Sequence, residues 1–529
     1  MAGITHTNGT TLHSELTVEA QDESRDKIKT LDDLQLIVAH HKTEGKTIVQ
    51  CHGVFDLLHP GHMQHLQVAK QNGDILIVTL TPDAMVNKGP GRPVFNQRIR
   101  LEAMAALGCV DYVALNKWPT AVEVIEYLKP DVFAKGNEFS NRNTDLTGAI
   151  SKEENAVQRV GGRLLLTEGI TFSSSELLNQ YYSVYPPEAD QFLKNFRNRH
   201  TASTVINELE NLRDLKVLII GEAIIDEYHY CEPMGKSVKE SIVASRFVRE
   251  ENFLGGSLAC ANHLSGFCKT VDLITCLGEQ NSREAFIREH LKPNVSPTFF
   301  YRKDAPTIVK RRYVWEPFLT KLFEIYKFED TPISPDIETA IDLHLNAVLQ
   351  NYDLVLVTDY GHGMLTAPLI NRLCTDARFL AVNTQTNSAN FGFNLITKYP
   401  RADYVCIDEP EIRLATHDRT TDIYELAKRL SQQLQTQTFT VTRGHRGSVS
   451  ISQNQEPDIV PVFSTEVKDR VGAGDAFLAI TAPMVCRQLP NDMVSFAGNA
   501  VGAIAVRIVG NRNSVEPVPL QRFITALLK

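Results

Sequence analysis

Short apolar stretches of strand length alternate with stretches of helical period along nearly the whole chain. No other feature restricts the fold as much. In the first half the strands fall at 47–52, 74–80, 110–115, 131–135 and 163–167, and the helices at 62–70, 97–107, 119–128, 145–160 and 173–182. A further helical pattern at 32–41 precedes them. Strands separated by helices line up in parallel, with the helices covering both faces of the sheet. The second half obeys the same rule, with strands at 216–221, 353–358, 379–383, 404–407 and 438–443 and a long apolar helix near 475–488. The expected fold class is α/β, with two doubly wound domains.

A chain of 529 residues exceeds what one core organises. The break is expected at 183–212, where Tyr185-Pro186-Pro187 interrupts the pattern and a charged stretch follows at 194–200. The expected organisation is a mobile tail and leading helix over 1–45, a first domain over 46–182, a linker over 183–212 and a second domain over 213–529. Two β-rich runs, 227–253 and 306–329, interrupt the second alternation. They read either as a small sheet serving as a lid or dimer contact, or as edge strands of the main sheet.

Composition excludes several classes. A formal charge of −9 and a pI near 6.0 argue against general nucleic-acid binding. Nine cysteines without a Cys-x-x-Cys pair suit reduced thiols in a cytoplasm. No apolar run approaches the ~18 residues of a membrane span, and 1–26 lacks the apolar core of a signal peptide.

The first chemical signal is Gln50-Cys-His-Gly-Val-Phe-Asp-Leu-Leu-His-Pro-Gly-His62, at the end of an apolar strand and the start of a helix. Pro60 suits a helix's first turn and Gly61 admits a ligand close to the backbone. The N–H groups and dipole of a helix start attract anions, and His59 and His62 bracket that start. An isolated His-x-Gly-His reads more simply as two helix-start histidines around a turn. The preceding Gly-Val-Phe-Asp and the strand–loop–helix context favour phosphate chemistry. No Gly-x-Gly-x-x-Gly follows the strand, which disfavours a dinucleotide site.

The Gly-Val-Phe-Asp-x-x-His-x-Gly-His pattern resembles the cytidylyltransferase-like nucleotidyltransferases. Lys88-Gly-Pro-Gly-Arg-Pro93, Gln97-Arg-Ile-Arg-Leu-Glu102, Val110-Asp111-Tyr-Val113 and Lys129-Pro-Asp-Val-Phe-Ala-Lys-Gly136 follow in order. Over 45–182 the set looks most like the adenylyltransferase half of the bifunctional heptose 7-phosphate kinase/heptose 1-phosphate adenylyltransferases. The resemblance implies that a substrate phosphate attacks the α-phosphorus of a nucleoside triphosphate, ATP or CTP, and releases pyrophosphate. It implies catalytic roles for His59, His62 and Lys88, and nucleotide contacts from Gly53, Phe55, Asp56, Gly61, Ser173, Ser174 and Ser175. Lys135 is implied on the substrate side. One extra residue stands between Gly169 and the serines, so which serine meets phosphate stays open.

The second signal is Asp469-x-x-Gly472-Ala473-Gly474-Asp475. A Gly-Ala-Gly turn opening an apolar helix aims backbone N–H groups at an anion. An aspartate there can accept a hydroxyl proton while phosphate charge builds beside it; an aspartate that merely stabilises the helix start is the lesser alternative. The motif resembles the ribokinase-like (PfkB) sugar kinases. So do the stretch 221–226, Gly255-Gly256, Asp359-Tyr-Gly-His-Gly363, Asp408-Glu-Pro-Glu411, Thr442-Arg-Gly444 with Gly447, and Asn499. The resemblance implies Asp475 as base, Gly472, Ala473 and Gly474 as anion hole, and Thr442, Gly444, Gly447 and Asn499 around ATP. Asp408 and Glu411 are implied to organise Mg²⁺ through water, and Asp226, Gly255, Gly256 and Asn383 to meet the sugar.

Departures cluster on that sugar side. Glu222 replaces an aspartate of the heptose kinases, Ala259 an asparagine, His362 a lysine, and Asn383-Thr-Gln-Thr386 an Asp-Pro-Lys-Gly stretch. They imply a different acceptor or an inactive kinase. The expectation is a bifunctional enzyme of nucleotide-activated sugar synthesis with the domain order reversed, feeding surface glycan assembly. Its partners would be sugar phosphates and nucleotides, with no nucleic acid or membrane, and it would be a homodimer, with the β lid as the candidate contact. The alternatives are a cytidylyltransferase with a sugar-sensing kinase-like domain, and a non-enzymatic scaffold.

Overall fold

The computed structural model describes residues 24–86, 92–136, 149–167, 186–452, 456–464 and 466–529, and the chain divides between Val184 and Tyr185 into two compact units. The first contains β1 (Ile28–Lys29), β2 (Ile48–Gly53), β3 (Ile75–Leu80), β4 (Tyr112–Leu115), β5 (Val132–Gly136) and β6 (Arg163–Thr167). They form one parallel sheet in the order β1-β4-β3-β2-β5-β6. From β2 the chain steps to β3 on one side and later returns to β5 on the other. The end of β2 is therefore the point where the winding reverses, where such sheets open a crevice for ligands. Both faces are buried. One packs Val49, Cys51, Val78 and Leu80 on Leu66, Ala69 and Met104; the other packs Ile48 and Ile77 on Leu31, Leu34, Val38 and Val124.

That second face corrects the expected boundary. The leading helix, Leu31–Thr43, is capped by Thr30, which accepts from Asp33 N at 3.1 Å, and it belongs to the core. With β1 paired to β4, the first unit begins well before residue 46.

The second unit contains β7 (Lys216–Gly221), β8 (Ala223–Lys236), β9 (Val243–Gly256), β10 (Thr270–Gln280), β11 (Val295–Pro306), β12 (Ile308–Trp315) and β13 (Thr320–Lys327). It continues with β14 (Leu354–Asp359), β15 (Leu380–Thr384), β16 (Tyr404–Asp408), β17 (Thr438–Thr442), β18 (Ser448–Ser452) and β19 (Asp458–Val460). The main sheet runs β11-β10-β7-β14-β15-β16-β17-β18-β19, parallel as far as β17 and antiparallel beyond it. The two β-rich runs are not edge strands of it. They build a separate sheet, β13-β12-β8-β9.

The expected linker is also corrected. Two helices, Pro187–Arg197 and Ala202–Glu210, are part of the second unit. Phe196 stacks on Phe496 with ring centroids 4.3 Å apart, and His200 Nε2 meets Asp492 Oδ2 at 2.7 Å. Charge along 194–200 masked an amphipathic face that buries Ala189, Leu193 and Phe196. Among the described residues no helix is long and apolar enough to cross a membrane.

Candidate functional sites

In the first unit β2 ends at Gly53, and the chain turns through Phe55, whose φ is +47°. A Cβ on Gly53 would stand 3.0 Å from the Phe55 ring, a tight approach that the ring would have to yield to. His59 is the extended N-cap of the helix Pro60–Lys70, with Pro60 and Gly61 in its first turn. The His59 and His62 rings stack at 3.9 Å, and Phe55 meets His62 edge-on at 5.2 Å. The expected histidine pair is thus one assembled face at the helix start.

Three of the expected contact residues are engaged inside the fold. Phe55 is a buried residue of the core cluster and props His62. Asp56 is buried; it accepts from Phe95 N at 3.0 Å and faces Arg92 Nη1 at 3.6 Å, and so holds the 92–95 segment. Lys135 is ion-paired to the buried Glu153. Lys88, Ser173, Ser174 and Ser175 lie outside the described residues.

Two residues escaped the sequence reading. Arg100, fully buried, donates to Phe95 O, Val54 O, Thr81 O and Asp83 Oδ1 at 3.0, 2.5, 2.8 and 2.6 Å, tying three loops around the β2 end. His65 Nδ1 lies 2.6 Å from Thr167 Oγ1, where β6 ends. Burial pushes His65 down to about 4, so it is a neutral imidazole at pH 7. His59, His62 and His65 follow a three-residue spacing on one helix face, a signal that was available.

In the second unit Asp359, Thr384, Asp408 and Thr442 stand at the carboxyl ends of four adjacent parallel strands. Gly472 caps the helix Ala473–Cys486 at φ +81°, and a Cβ there would sit 1.8 Å from Asn511 Oδ1. Around Gly474 nothing lies within 4 Å of a Cβ, so the space over the helix start is open. Asp475 follows, and Tyr360 Oη donates to its Oδ1 at 2.7 Å. Burial pushes its carboxyl up to about 6, against the Tyr360 hydrogen bond and the Lys310 charge, while Asp226 adds to the rise. A carboxylate titrating there is suited to accept a proton near neutral pH. Asp469 does not face this space. It accepts from Tyr228 Oη and Lys321 Nζ, each at 2.6 Å, and from Gly510 N at 2.9 Å.

The sugar side differs from expectation. Asp226 is ion-paired to Arg312 of β12, and Gly255 is glycine because a Cβ would fall 2.3 Å from Asp226 Oδ2. Gly256, at φ +59°, turns β9 into the helix Ser257–Leu264. Glu222 accepts from Tyr360 N and His362 N, each at 3.0 Å, and holds the 359–363 loop. Burial, with the Asp359 charge, pushes it up to about 7. Asn383 Nδ2 donates to Cys406 O at 2.8 Å, which turns it toward the neighbouring strand.

Asp408 and Glu411 form a capping box on the helix Glu409–Thr416. Glu411 Oε2 accepts from Asp408 N at 2.7 Å and its Oε1 from Thr386 N at 2.9 Å, while Asp408 Oδ1 accepts from Glu411 N at 2.8 Å. On the ATP side Gly444 and Gly447 turn β17 into β18 at φ +55° and +80°. Asn499 is held from beneath: its Nδ2 donates to Ser448 Oγ at 2.7 Å and to Ser495 O at 2.9 Å. Among the described residues no group of three or more His, Cys, Asp or Glu could hold a metal by itself.

Two parallel α/β units, each with an anion-seeking helix start at the carboxyl end of its sheet, define a protein of two nucleotide-type sites. Residues 214–518, more than half of the chain, match the pfkB family of carbohydrate kinases, and residues 51–222 match the cytidylyltransferase-like family. The chain belongs to the pfkB family of carbohydrate kinases and carries a cytidylyltransferase-like region ahead of the kinase.

Curated relatives match the N-terminal region. The bifunctional protein HldE of Citrifermentans bemidjiense is 39% identical over 166 residues, 31% of this chain and 33% of the relative. That of Geobacter metallireducens is 38% identical over 172 residues, 31% and 33%. The chain thus spans about a third of the length of these relatives. Among solved structures, phosphofructokinase-2 of Escherichia coli in complex with fructose-6-phosphate aligns with a TM-score of 0.48 and 12% identity, over 60% of this chain and 100% of that one. The ribokinase of Thermotoga maritima aligns at 0.47 and 16%, over 58% and 99%.

Proposed function

We propose that the protein is a bifunctional enzyme of nucleotide-activated, heptose-like sugar synthesis. The C-terminal kinase phosphorylates a sugar or sugar phosphate with ATP. The N-terminal unit joins a nucleoside monophosphate to a sugar 1-phosphate and releases pyrophosphate. The observation that carries the reading is Asp475 at the open helix start, hydrogen-bonded by Tyr360 and titrating near 6. The acceptor oxygen bonds to the γ-phosphorus, the bond to the β–γ bridging oxygen breaks, ADP leaves with the electron pair, and the hydroxyl proton passes to Asp475. In the other unit the attacking phosphate is already ionised, so His59 and His62 serve to stabilise charge on the α-phosphate and leaving pyrophosphate.

Mg²⁺ fits the residues present. Each Glu411 oxygen already accepts one N–H, and the second oxygen of the half-buried Asp408 is left for a water-mediated contact. Mg²⁺ keeps most of its waters and takes one or two carboxylates plus substrate phosphates. It would supply charge neutralisation beside ATP. The nine cysteines are all free thiols, in keeping with a cytoplasmic setting.

A second reading is favoured by one set of contacts. Asp226, Glu222 and Asn383 are each already engaged inside the protein. A kinase-like domain with its sugar-side groups so occupied suits a sensor beside an active cytidylyltransferase.

Assays on the full chain separate the two readings. With ATP and a panel of sugars and sugar phosphates, Asp475→Asn should abolish phosphoryl transfer. Unchanged ATP consumption with every acceptor would leave only the sensor reading. Pyrophosphate release from the four triphosphates with sugar 1-phosphates should disappear in His59→Ala.

The protein is further proposed to be a homodimer through the outer face of the β13-β12-β8-β9 sheet. An aromatic row crosses all four strands there: Phe247, His229, Tyr313 and Phe323, with successive ring centroids 5.8, 5.4 and 4.5 Å apart. Both end rings are more than half exposed, the kind of apolar patch that marks an interface.

A further inference from the structure

The inner face of the same sheet is cationic. Lys310 and Arg312, two residues apart on β12, share that face with Lys321 at the start of β13. Arg312 is neutralised by Asp226 and Glu324, and Lys321 by Asp469. Lys310 has no such partner. It is only 5% exposed, yet among the described residues no carboxylate lies within 4.0 Å of its Nζ and it makes no hydrogen bond. Two rings flank it: Nζ stands 5.3 Å from the Tyr326 ring centroid and 5.7 Å from that of Tyr360, while Asp226, Glu324 and Asp475 act on it from beyond ion-pair distance. Cation–π attraction to two rings offsets only part of the cost of taking an ammonium out of water. Burial accordingly pulls the lysine below its ordinary value.

A second basic group in the same neighbourhood is also unsatisfied. His362 is 2% exposed with neither ring nitrogen hydrogen-bonded, and the Lys310 charge acts on it. Native proteins rarely leave such groups without partners, and exceptions point to a missing ligand. The surroundings say which ligand. Tyr360, under Lys310, is the residue that hydrogen-bonds the base Asp475, and Asp226 and Asp475 are both among the charges acting on Lys310. An anion between Lys310 and Asp475 lies where the acceptor hydroxyl and the transferred group must meet.

We propose that Lys310 is the cation, carried by the lid sheet, that closes over the phosphoryl group in transit from ATP to the acceptor. The proposal rests on the kinase reading of Asp475. Lys310 keeps its proton throughout and donates hydrogen bonds to the phosphoryl oxygens, whose negative charge then offsets its burial. The site is incomplete without β12, so transfer to water is suppressed until the sheet covers the bound nucleotide.

The test uses the full chain and titration calorimetry, with MgADP as one probe and MgADP plus aluminium fluoride, which mimics the transferred phosphoryl group, as the other. Wild type and Lys310→Met should bind MgADP equally. Aluminium fluoride should tighten wild-type binding, and Lys310→Met should lose about 100-fold of that tightening, with Lys310→Arg restoring part of it. Without ligand, Lys310→Met should unfold at the same or a higher temperature, because an unpartnered buried charge has been removed. Tightening that survives in Lys310→Met overturns the proposal, as does a variant that unfolds several degrees lower, which would make the lysine structural. If Lys310→Met instead loses binding of inorganic phosphate in the absence of nucleotide while keeping the aluminium fluoride effect, the lysine holds the acceptor's own phosphate and the proposal fails. A wild type that binds no MgADP removes the kinase reading along with it, an outcome distinct from the failure of Lys310 alone.

Discussion

At the residue scale, Asp475 couples stability to activity through one proton. Its folded carboxyl titrates near 6, against 3.8 for a free aspartate. Below 3.8 both states are protonated and the folded protein bears no charge penalty. As pH rises through 6 the folded state must release a proton that it holds more tightly than the unfolded chain does, and stability falls. Asp475→Asn should therefore raise the melting temperature at pH 7.5 relative to wild type and have little effect at pH 4. Tyr360 donates to the carboxylate and pulls its value down. In Tyr360→Phe the acid limb of the kinase pH–rate profile should move to higher pH, an unmoved limb counting against Asp475 as base. Cys260, Asp226 and Lys310 are the other titratable groups around this carboxylate. In the first unit, Arg100→Met removes four hydrogen bonds and takes the guanidinium donor from the Phe95, Val54 and Thr81 carbonyls, while Asp83 keeps its bond from Gln97 N. It should cost about 3 kcal/mol or more of the first unit's stability, read by hydrogen exchange at 53–56 and 81–83. Asp475 was legible because a helix start with flanking glycines is a local signature. Arg100 was not, since its value lies in three carbonyls and a carboxylate brought together from separate loops.

At the element scale, the glycines of the proposed anion hole make opposite predictions. Gly472 has a positive φ and Asn511 against it, so Gly472→Ala should destabilise the start of the helix and abolish phosphoryl transfer together. Gly474 has a helical backbone and open space where a Cβ would go. Gly474→Ala should gain up to about 1 kcal/mol in thermal stability while losing phosphoryl transfer, because the methyl group stands in the phosphate's path. A Gly474→Ala variant with full kinase activity would mean that phosphate does not sit there. Where the periodicity placed a strand or helix within the described residues, the structure has one to within a few residues, since each rests on local alternation; the helix expected at 173–182 lies outside those residues. The exception was instructive. The helix Pro187–Arg197 was hidden by charge and prolines, and its packing on Phe463 and Phe496 identifies its apolar face.

At the scale of the whole molecule, the lid sheet presents an aromatic outer face and a cationic inner one, because strand side chains alternate between faces. Phe247→Glu with Phe323→Glu should convert a dimer to a monomer in light scattering and leave the main-sheet core intact. A wild type that is monomeric at micromolar concentration would dismiss the interface.

The sequence by itself determined the parallel two-unit architecture, the order of the nucleotidyltransferase-like and kinase regions, and the two helix starts proposed as anion sites. Those features depend on periodicity, glycine backbone freedom and residues a few positions apart. Tertiary structure alone decided which charges are satisfied. Arg312 meets Asp226 from 86 residues away, and Lys321 meets Asp469 from 148. No local pattern specifies such pairs, because the sheet register and the docking of the lid bring them together. The same long-range geometry leaves Lys310 buried with no carboxylate within 4.0 Å among the described residues.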